Sequence, residues 1–226
     1  MKISTLNSKE IKDRISAKLA LKLSVDGFVY NKSSNEFKCT IENYTYLFCI
    51  DQLTWSDHFS INVRVYISER QIEDLLERII GKQRNRLTLG GDIAILKFSP
   101  DGRQVIPKTL TILLLFEEDI EAAVETLYQY YLEIAKPFFE RYNSLEKIDS
   151  LINSKPYNSI PAHFCGNCDT RCMKGLVVAK LTNNPEYNSL LAIYDEEIRE
   201  TFKDFRKEAI ETFNKVIEYF QSTWRL

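Results

Sequence analysis

The stretch Phe59-Ser60-Ile61-Asn62-Val63-Arg64-Val65-Tyr66-Ile67 decides the fold. Phe59, Ile61, Val63, Val65 and Ile67 alternate with Ser60, Asn62, Arg64 and Tyr66, the period of two that puts one set of side chains on each face of a strand. One face is therefore apolar and the other wet, which is the pattern of an antiparallel sheet covered on one side. Upstream, Phe28 to Tyr30, Phe37 to Ile41 and Tyr44 to Ile50 are rich in β-branched and aromatic residues. They are separated by polar breaks at Asn31 to Asn35 and Thr54 to Asp57, and a meander is the simplest connection. Downstream, Asp92 to Phe98 and Thr109 to Phe116 read as two more strands, joined through the turn Pro100, Asp101, Gly102. The sheet is expected to hold five to six strands.

The apolar face needs a cover, and the same chain offers helices. Ile11, Ile15, Leu19 and Leu23 recur at helical spacing until Asp26 and Gly27 stop them, and a short helix is predicted from Glu69 to Ile80, ending at Gly81. In the second half Ile120, Val124, Leu127, Tyr131, Ile134 and Phe138 lie on one face. Glu117, Glu118 and Asp119 sit where a helix N-terminus favours negative charge. Pro137 interrupts this pattern, so a kink or a new helix near Lys136 is expected. A short helix follows around Leu145 to Ile152, then a loop from Ser154 to Pro161. Asp169 or Thr170 is expected to cap a helix from Arg171 to Leu181, and Asn184 with Pro185 to open another. From Tyr187 to Trp224 one apolar face persists for nearly 60 Å at ~1.5 Å per residue, longer than a compact domain needs, so a break is expected. The fold class is α+β: a single domain over 1–226, sheet-rich in 1–116 and helical in 117–226, because the sheet's apolar face and the helices' stripes each lack another partner.

Composition narrows the roles. Lysine plus arginine (30) nearly balances aspartate plus glutamate (32), so no overall field draws the chain to nucleic acid or to an anionic membrane. The most apolar run, Leu110 to Phe116, is far shorter than the ~20 residues of a membrane-crossing helix. The N-terminal residues, with Lys2, Lys9, Glu10, Lys12 and Asp13, have no signal-peptide core, so a cytoplasmic location is expected and the five cysteines are read as thiols or metal ligands.

The opening helix, Gly27 and Phe28, Tyr30, the aromatic strand, and Phe59, Ile61 and Asn62 in an extended run resemble an uncharacterised bacterial family known as a domain of unknown function. The likeness covers about the first half. It implies an α+β fold and a setting beside bacterial toxin and immunity genes, and it supplies no site residues.

Chemistry concentrates in one window: His163, Cys165, Cys168 and Cys172. Zinc takes four tetrahedral ligands from thiolate and imidazole, and Cys165 and Cys168 have the two-residue spacing of a knuckle, with Gly166 and Asn167 permitting the tight turn. The geometric difficulty is that zinc sites usually draw ligand pairs from two chain segments, whereas here one short loop would supply all four. The bland alternative is a loop entering a helix, with Cys168 and Cys172 one turn apart on its buried side. A redox dithiol at Cys165 and Cys168 lacks the strand that normally precedes one.

Elsewhere the signals are thinner. Cys39 and Cys49 are expected to face a core. His58, beside Asp57 and near Trp55, has the makings of a base oriented by a carboxylate, but neighbours on an extended chain point apart. Lys82, Arg84 and Arg86 form a short basic stripe, with Glu69, Glu73, Asp74 and Glu77 upstream and no aromatic platform between them, so a solvated loop is favoured over a phosphate contact. Gly90 and Gly91 are an isolated pair and not a phosphate loop. One of Tyr128, Tyr130 and Tyr131 is expected at a surface where a partner groove would fit. Without a nucleophile beside a base or a cofactor loop, the sequence favours a non-catalytic, immunity-like protein that binds another protein. The alternative is a zinc-binding protein or metal-dependent enzyme using His163, Cys165, Cys168 and Cys172.

Overall fold

The computed structural model describes residues 7–82, 86–99, 109–155 and 166–223. Helix α1 (Ser8–Leu23) opens on Asn7, whose side chain accepts from the Lys9 amide, and closes through a 3-10 turn at Ser24–Asp26 into Gly27 at φ 81°. Strands β1 (Val29–Asn31), β2 (Glu36–Ile41), β3 (Tyr44–Thr54) and β4 (Phe59–Glu69) follow as the aromatic and β-branched runs require. With β5 (Leu89–Asp92) and β6 (Ile112–Leu114) they form one six-stranded antiparallel sheet in the order β1-β2-β3-β4-β5, β6 also pairing with β4. Register pairs Phe37 with Phe48 across β2 and β3, and Phe59 with Leu114 across β4 and β6.

In β4 the residues Phe59, Ile61, Val63, Val65 and Ile67 are all buried, as the alternation requires. The opposite face carries paired polar groups: Asn62 accepts from the Thr111 hydroxyl at 2.7 Å, and Arg64 donates to Asp51 at 2.7 Å. Ser60 departs from the pattern, buried with its hydroxyl taking the Trp55 indole N–H at 3.0 Å.

Two segments differ from the sequence reading. Ile93–Phe98 is helix α3 and not a strand, because Asp92 caps it by accepting from the Ala94 amide at 2.8 Å; the strand lies just before it. Gly90 in that strand has φ 133°, and a Cβ there would stand 2.1 Å from the Val65 carbonyl oxygen, so only glycine fits against β4. The expected strand from Thr109 to Phe116 shortens to the three residues of β6. Its turn at Pro100 to Gly102 lies outside the described residues.

Helix α2 (Arg70–Ile80) begins at Glu69 and ends at Gly81 as expected. The Ile120 to Phe138 face runs through α4 (Asp119–Tyr130), a π-helical turn (Tyr131–Ala135) and α5 (Lys136–Arg141). Pro137 accounts for the interruption: it cannot donate back to the preceding turn, and the Lys136 amide bonds five residues back to Tyr131. Then come α6 (Leu145–Ile152), α7 (Cys168–Leu181), α8 (Tyr187–Phe202) and α9 (Lys207–Thr223). The break expected in the last apolar stripe falls between α8 and α9, where Arg206 takes φ 55°.

By its internal packing the chain divides into two compact units, Met1–Ile67 with Gly90–Arg141, and Ser68–Leu89 with Tyr142–Leu226. The sheet-rich and helical halves expected at 116 and 117 are thus drawn differently: α4 and α5 belong with the sheet, and α2 with the later helices. In the first unit the sheet's aromatic face meets α5 and the π turn, with Phe28 and Phe48 edge-on to Tyr131 at 5.5 and 6.0 Å and Tyr46 against Phe139 at 4.8 Å. Burying each such ring contributes roughly 1.5–3 kcal/mol. Alongside, Arg14 of α1 pairs with Glu117, just before α4, and Lys22 pairs with Glu125 within it, each at 2.8 Å.

In the second unit α7 is central. Every residue from Arg171 to Ala179 is buried, as in a helix enclosed on all sides, and its neighbours are α2, α6, α8 and α9. Among the described residues no helix is long and apolar enough to cross a membrane.

Candidate functional site

Three charged side chains are buried on α7, and each meets an opposite charge from a different segment of the same unit. Asp169 accepts from Arg206, before α9, at 2.9 Å; Arg171 pairs with Glu197 of α8; Lys174 pairs with Glu73 of α2 at 3.1 Å. A buried charge left unpaired costs several kcal/mol, so these pairs fix how α7 turns about its axis. That rotation points Cys168 and Cys172, one turn apart, toward α8.

There the two sulfurs meet Glu197. Cys168 Sγ lies 3.2 Å from Glu197 Oε1 and Cys172 Sγ 3.8 Å from Oε2, and the three ligand atoms all fall within 4.8 Å of one another. Cys172 is fully buried and Cys168 half-buried. Arg171, reaching the same carboxylate, also lies over the Tyr194 ring at 5.3 Å. The neighbouring Cys172 thiol lowers the Cys168 pKa from its usual 9.0 against burial and Glu197, with Arg171 helping. The Cys168 sulfur, together with burial, pushes Cys172 well up. Cys168 is thus the readier thiolate, in the first turn of α7 where the helix dipole favours negative charge.

Of the residues singled out in the sequence, Cys168 and Cys172 come together, and they do so on the buried side of a helix that starts at Cys168, three residues before the expected start. The expected caps Asp169 and Thr170 are inside that helix; Asn167 holds the cap position. His163 and Cys165 lie outside the described residues. Glu197 was missed. Its signal was its place three residues after Tyr194 and next to Ile198, flanking the stripe Leu190, Tyr194, Ile198 that α8 buries. A basic residue inside the apolar run of α7 also demanded an acid from elsewhere.

The other candidates form no such cluster among the described residues. Cys39 and Cys49 are buried, and burial raises both thiols, Cys49 to about 12. His58 and Asp57 were expected to point apart; the turn between β3 and β4 instead brings His58 Nδ1 to 2.7 Å from Asp57 Oδ1, with the imidazole stacked on Trp55 at 5.7 Å. Arg86 is tied to Asp74 and to Glu77, the latter at 3.4 Å, while Arg84 lies outside the described residues. Tyr131 is buried, and Tyr128 and Tyr130 are half-buried.

No family model matches the chain, and no curated protein or solved structure matches it.

Proposed function

We propose that the protein binds a zinc ion through Cys168, Cys172 and Glu197. The observation that carries this reading is the approach of the three ligand atoms to within 4.8 Å of one another from two helices. A tetrahedral zinc with bonds of about 2.3 Å to sulfur and 2.0 Å to oxygen separates neighbouring sulfur and oxygen ligands by roughly 3.5 Å. Cys168 stands 3.2 Å from Oε1 and Cys172 3.8 Å from Oε2, so each sulfur is within a few tenths of an ångström of that separation from one oxygen of the carboxylate. Ligands four residues apart on a helix reach one ion from one face. Glu197 adds the second chain segment that a single loop could not supply.

Charge supports the same reading. Two thiolates, one carboxylate, the buried Arg171 and a divalent ion sum to zero, so the ion enters without leaving a net buried charge. Cys165 and His163, the other two residues of the candidate set read from the sequence, lie outside the described residues. Bound by Cys168, Cys172 and Glu197, zinc would hold the start of α7 to α8.

The test is elemental analysis of the full chain purified without added metal. One zinc per chain is expected, reduced to background in Cys168→Ser/Cys172→Ser and weakened about 10–100-fold or more in affinity by Glu197→Gln. A folded wild-type chain without metal, or a folded double variant that keeps its zinc, would overturn the proposal.

A further inference from the structure

We infer that Cys168 and Cys172 form a peroxide-responsive pair, in which oxidation joins the two sulfurs and expels the zinc. This inference rests on the zinc reading and adds the regulation of that site. Three features of the cluster support it.

First, residues four apart on an α-helix have Cα atoms roughly 6 Å apart, inside the 4.4–6.8 Å span of a disulfide; their Cβ atoms stand roughly 5–6 Å apart against the 3.5–4.5 Å it needs, so closure opens the first turn of α7, which begins at Cys168. The sulfurs already approach within 4.8 Å. Second, access is unequal. Cys168 is half-buried at the first turn of α7, whereas Cys172 is fully buried one turn deeper. A small oxidant reaches Cys168 first, and Cys172 is placed to attack the oxidised sulfur before a second peroxide arrives. Third, the linkage is incompatible with the metal, because a disulfide offers neither sulfur as a thiolate and leaves Glu197 with Arg171, its partner in this structure. The oxidised cluster keeps its buried arginine paired, so expulsion strands no charge.

The chemistry balances with hydrogen peroxide as oxidant. The Cys168 thiolate attacks one peroxide oxygen, the O–O bond breaks, and the departing hydroxide takes a proton to become water, leaving Cys168 as sulfenic acid. The Cys172 thiolate then attacks that sulfur. The S–O bond breaks, hydroxide leaves and is protonated to a second water, and the S–S bond forms as zinc departs. Two electrons pass from the sulfurs to the peroxide.

The experiment uses the zinc-loaded full chain and a stoichiometric amount of hydrogen peroxide. Released zinc is followed with a chromogenic chelator, and the product by mass spectrometry. Trypsin cuts after Arg171, between the two cysteines, so a disulfide leaves two peptides linked, and fragmentation assigns the sulfur as Cys168 or Cys165. One zinc is expected per Cys168–Cys172 link, with a loss of two hydrogens in mass and full rebinding after thiol reduction. Cys172→Ser should accumulate sulfenic or sulfinic acid at Cys168 with no link. Zinc released with a Cys165 link, with irreversible oxidation alone, or not released at all overturns the inference while leaving the zinc reading intact. A chain that holds no zinc yet forms the Cys168–Cys172 link overturns the zinc reading and sustains the thiol pair.

Discussion

Arg171 and Glu197 form an ion pair across α7 and α8 in which the arginine side chain is 2% exposed and the glutamate 21%. Removing the arginine leaves a largely buried carboxylate without its cation, and removing both leaves only a packing defect. Arg171→Ala is therefore expected to destabilise the protein by about 3–5 kcal/mol, read from urea unfolding. Arg171→Met combined with Glu197→Leu should lose less than either single change. Equal, additive losses would show that the pair is not coupled.

Much of this architecture was legible in the sequence, and the part that was not has a physical cause. The alternation in β4, the apolar spacing of α1 and the stop at Gly81 are local patterns set by neighbours a few residues apart. The strand expected over Asp92 to Phe98 failed because a short apolar run suits either structure, and one cap by Asp92 decided it. The cluster was half legible: Cys168 and Cys172 stand one turn apart, so their spacing revealed them. Glu197 lies 25 residues beyond Cys172 and joins it only through the packing of α7 on α8. The protein-binding, immunity-like role rests on the resemblance of the first half and on features not found, whereas the zinc reading rests on atoms brought together.

In the sheet unit Tyr131 donates to Asp26 at 2.7 Å, and Lys136 reaches the same carboxylate at 3.0 Å. The tyrosine bond first, then the lysine bond, lowers the Asp26 pKa below its usual 3.8. A depressed carboxylate adds stability above its unfolded pKa and loses it as pH falls through the folded value. Tyr131→Phe should cost roughly 1.5–3 kcal/mol at pH 7. Measured by urea midpoints, the difference from wild type should shrink as pH drops below about 4, and a constant difference down to pH 2 would refute the charge-assisted bond.

Glu69 carries the opposite sign. It is fully buried, with Oε2 accepting from the Ile72 amide at 2.8 Å and Oε1 without a hydrogen-bond partner among the described residues. Burial raises its pKa above the usual 4.5. Its contribution is complete below 4.5 and declines as pH rises through the folded value, since the ionised form is the one burial disfavours. Glu69→Gln keeps the acceptor for Ile72 and cannot ionise. The variant should gain on wild type in thermal midpoint between pH 4.5 and 8, and a wild-type advantage widening over that range would contradict the assignment.

Gly175 holds the cluster's geometry from one turn away. A Cβ there would meet Asn153 Oδ1 at 2.7 Å and Tyr194 Cε2 at 2.8 Å, and Tyr194 in turn donates to that same Asn153 oxygen at 2.6 Å. Neither neighbour moves freely, because Asn153 also donates to the Gly175 carbonyl at 2.9 Å, and both side chains are buried or nearly so. Gly175→Ala must therefore push α7 away from α8 and α6, at a cost of about 1–3 kcal/mol by overpacking. Because Tyr194 and Glu197 share α8, the displacement also parts Glu197 from Cys172. Zinc affinity should fall along with stability, whereas alanine at a loosely packed helical glycine would add stability instead. Paired measurement of the unfolding midpoint and of zinc retention against a competing chelator separates the two outcomes, and a stabilised variant with unchanged retention would show that the helices do not meet this closely.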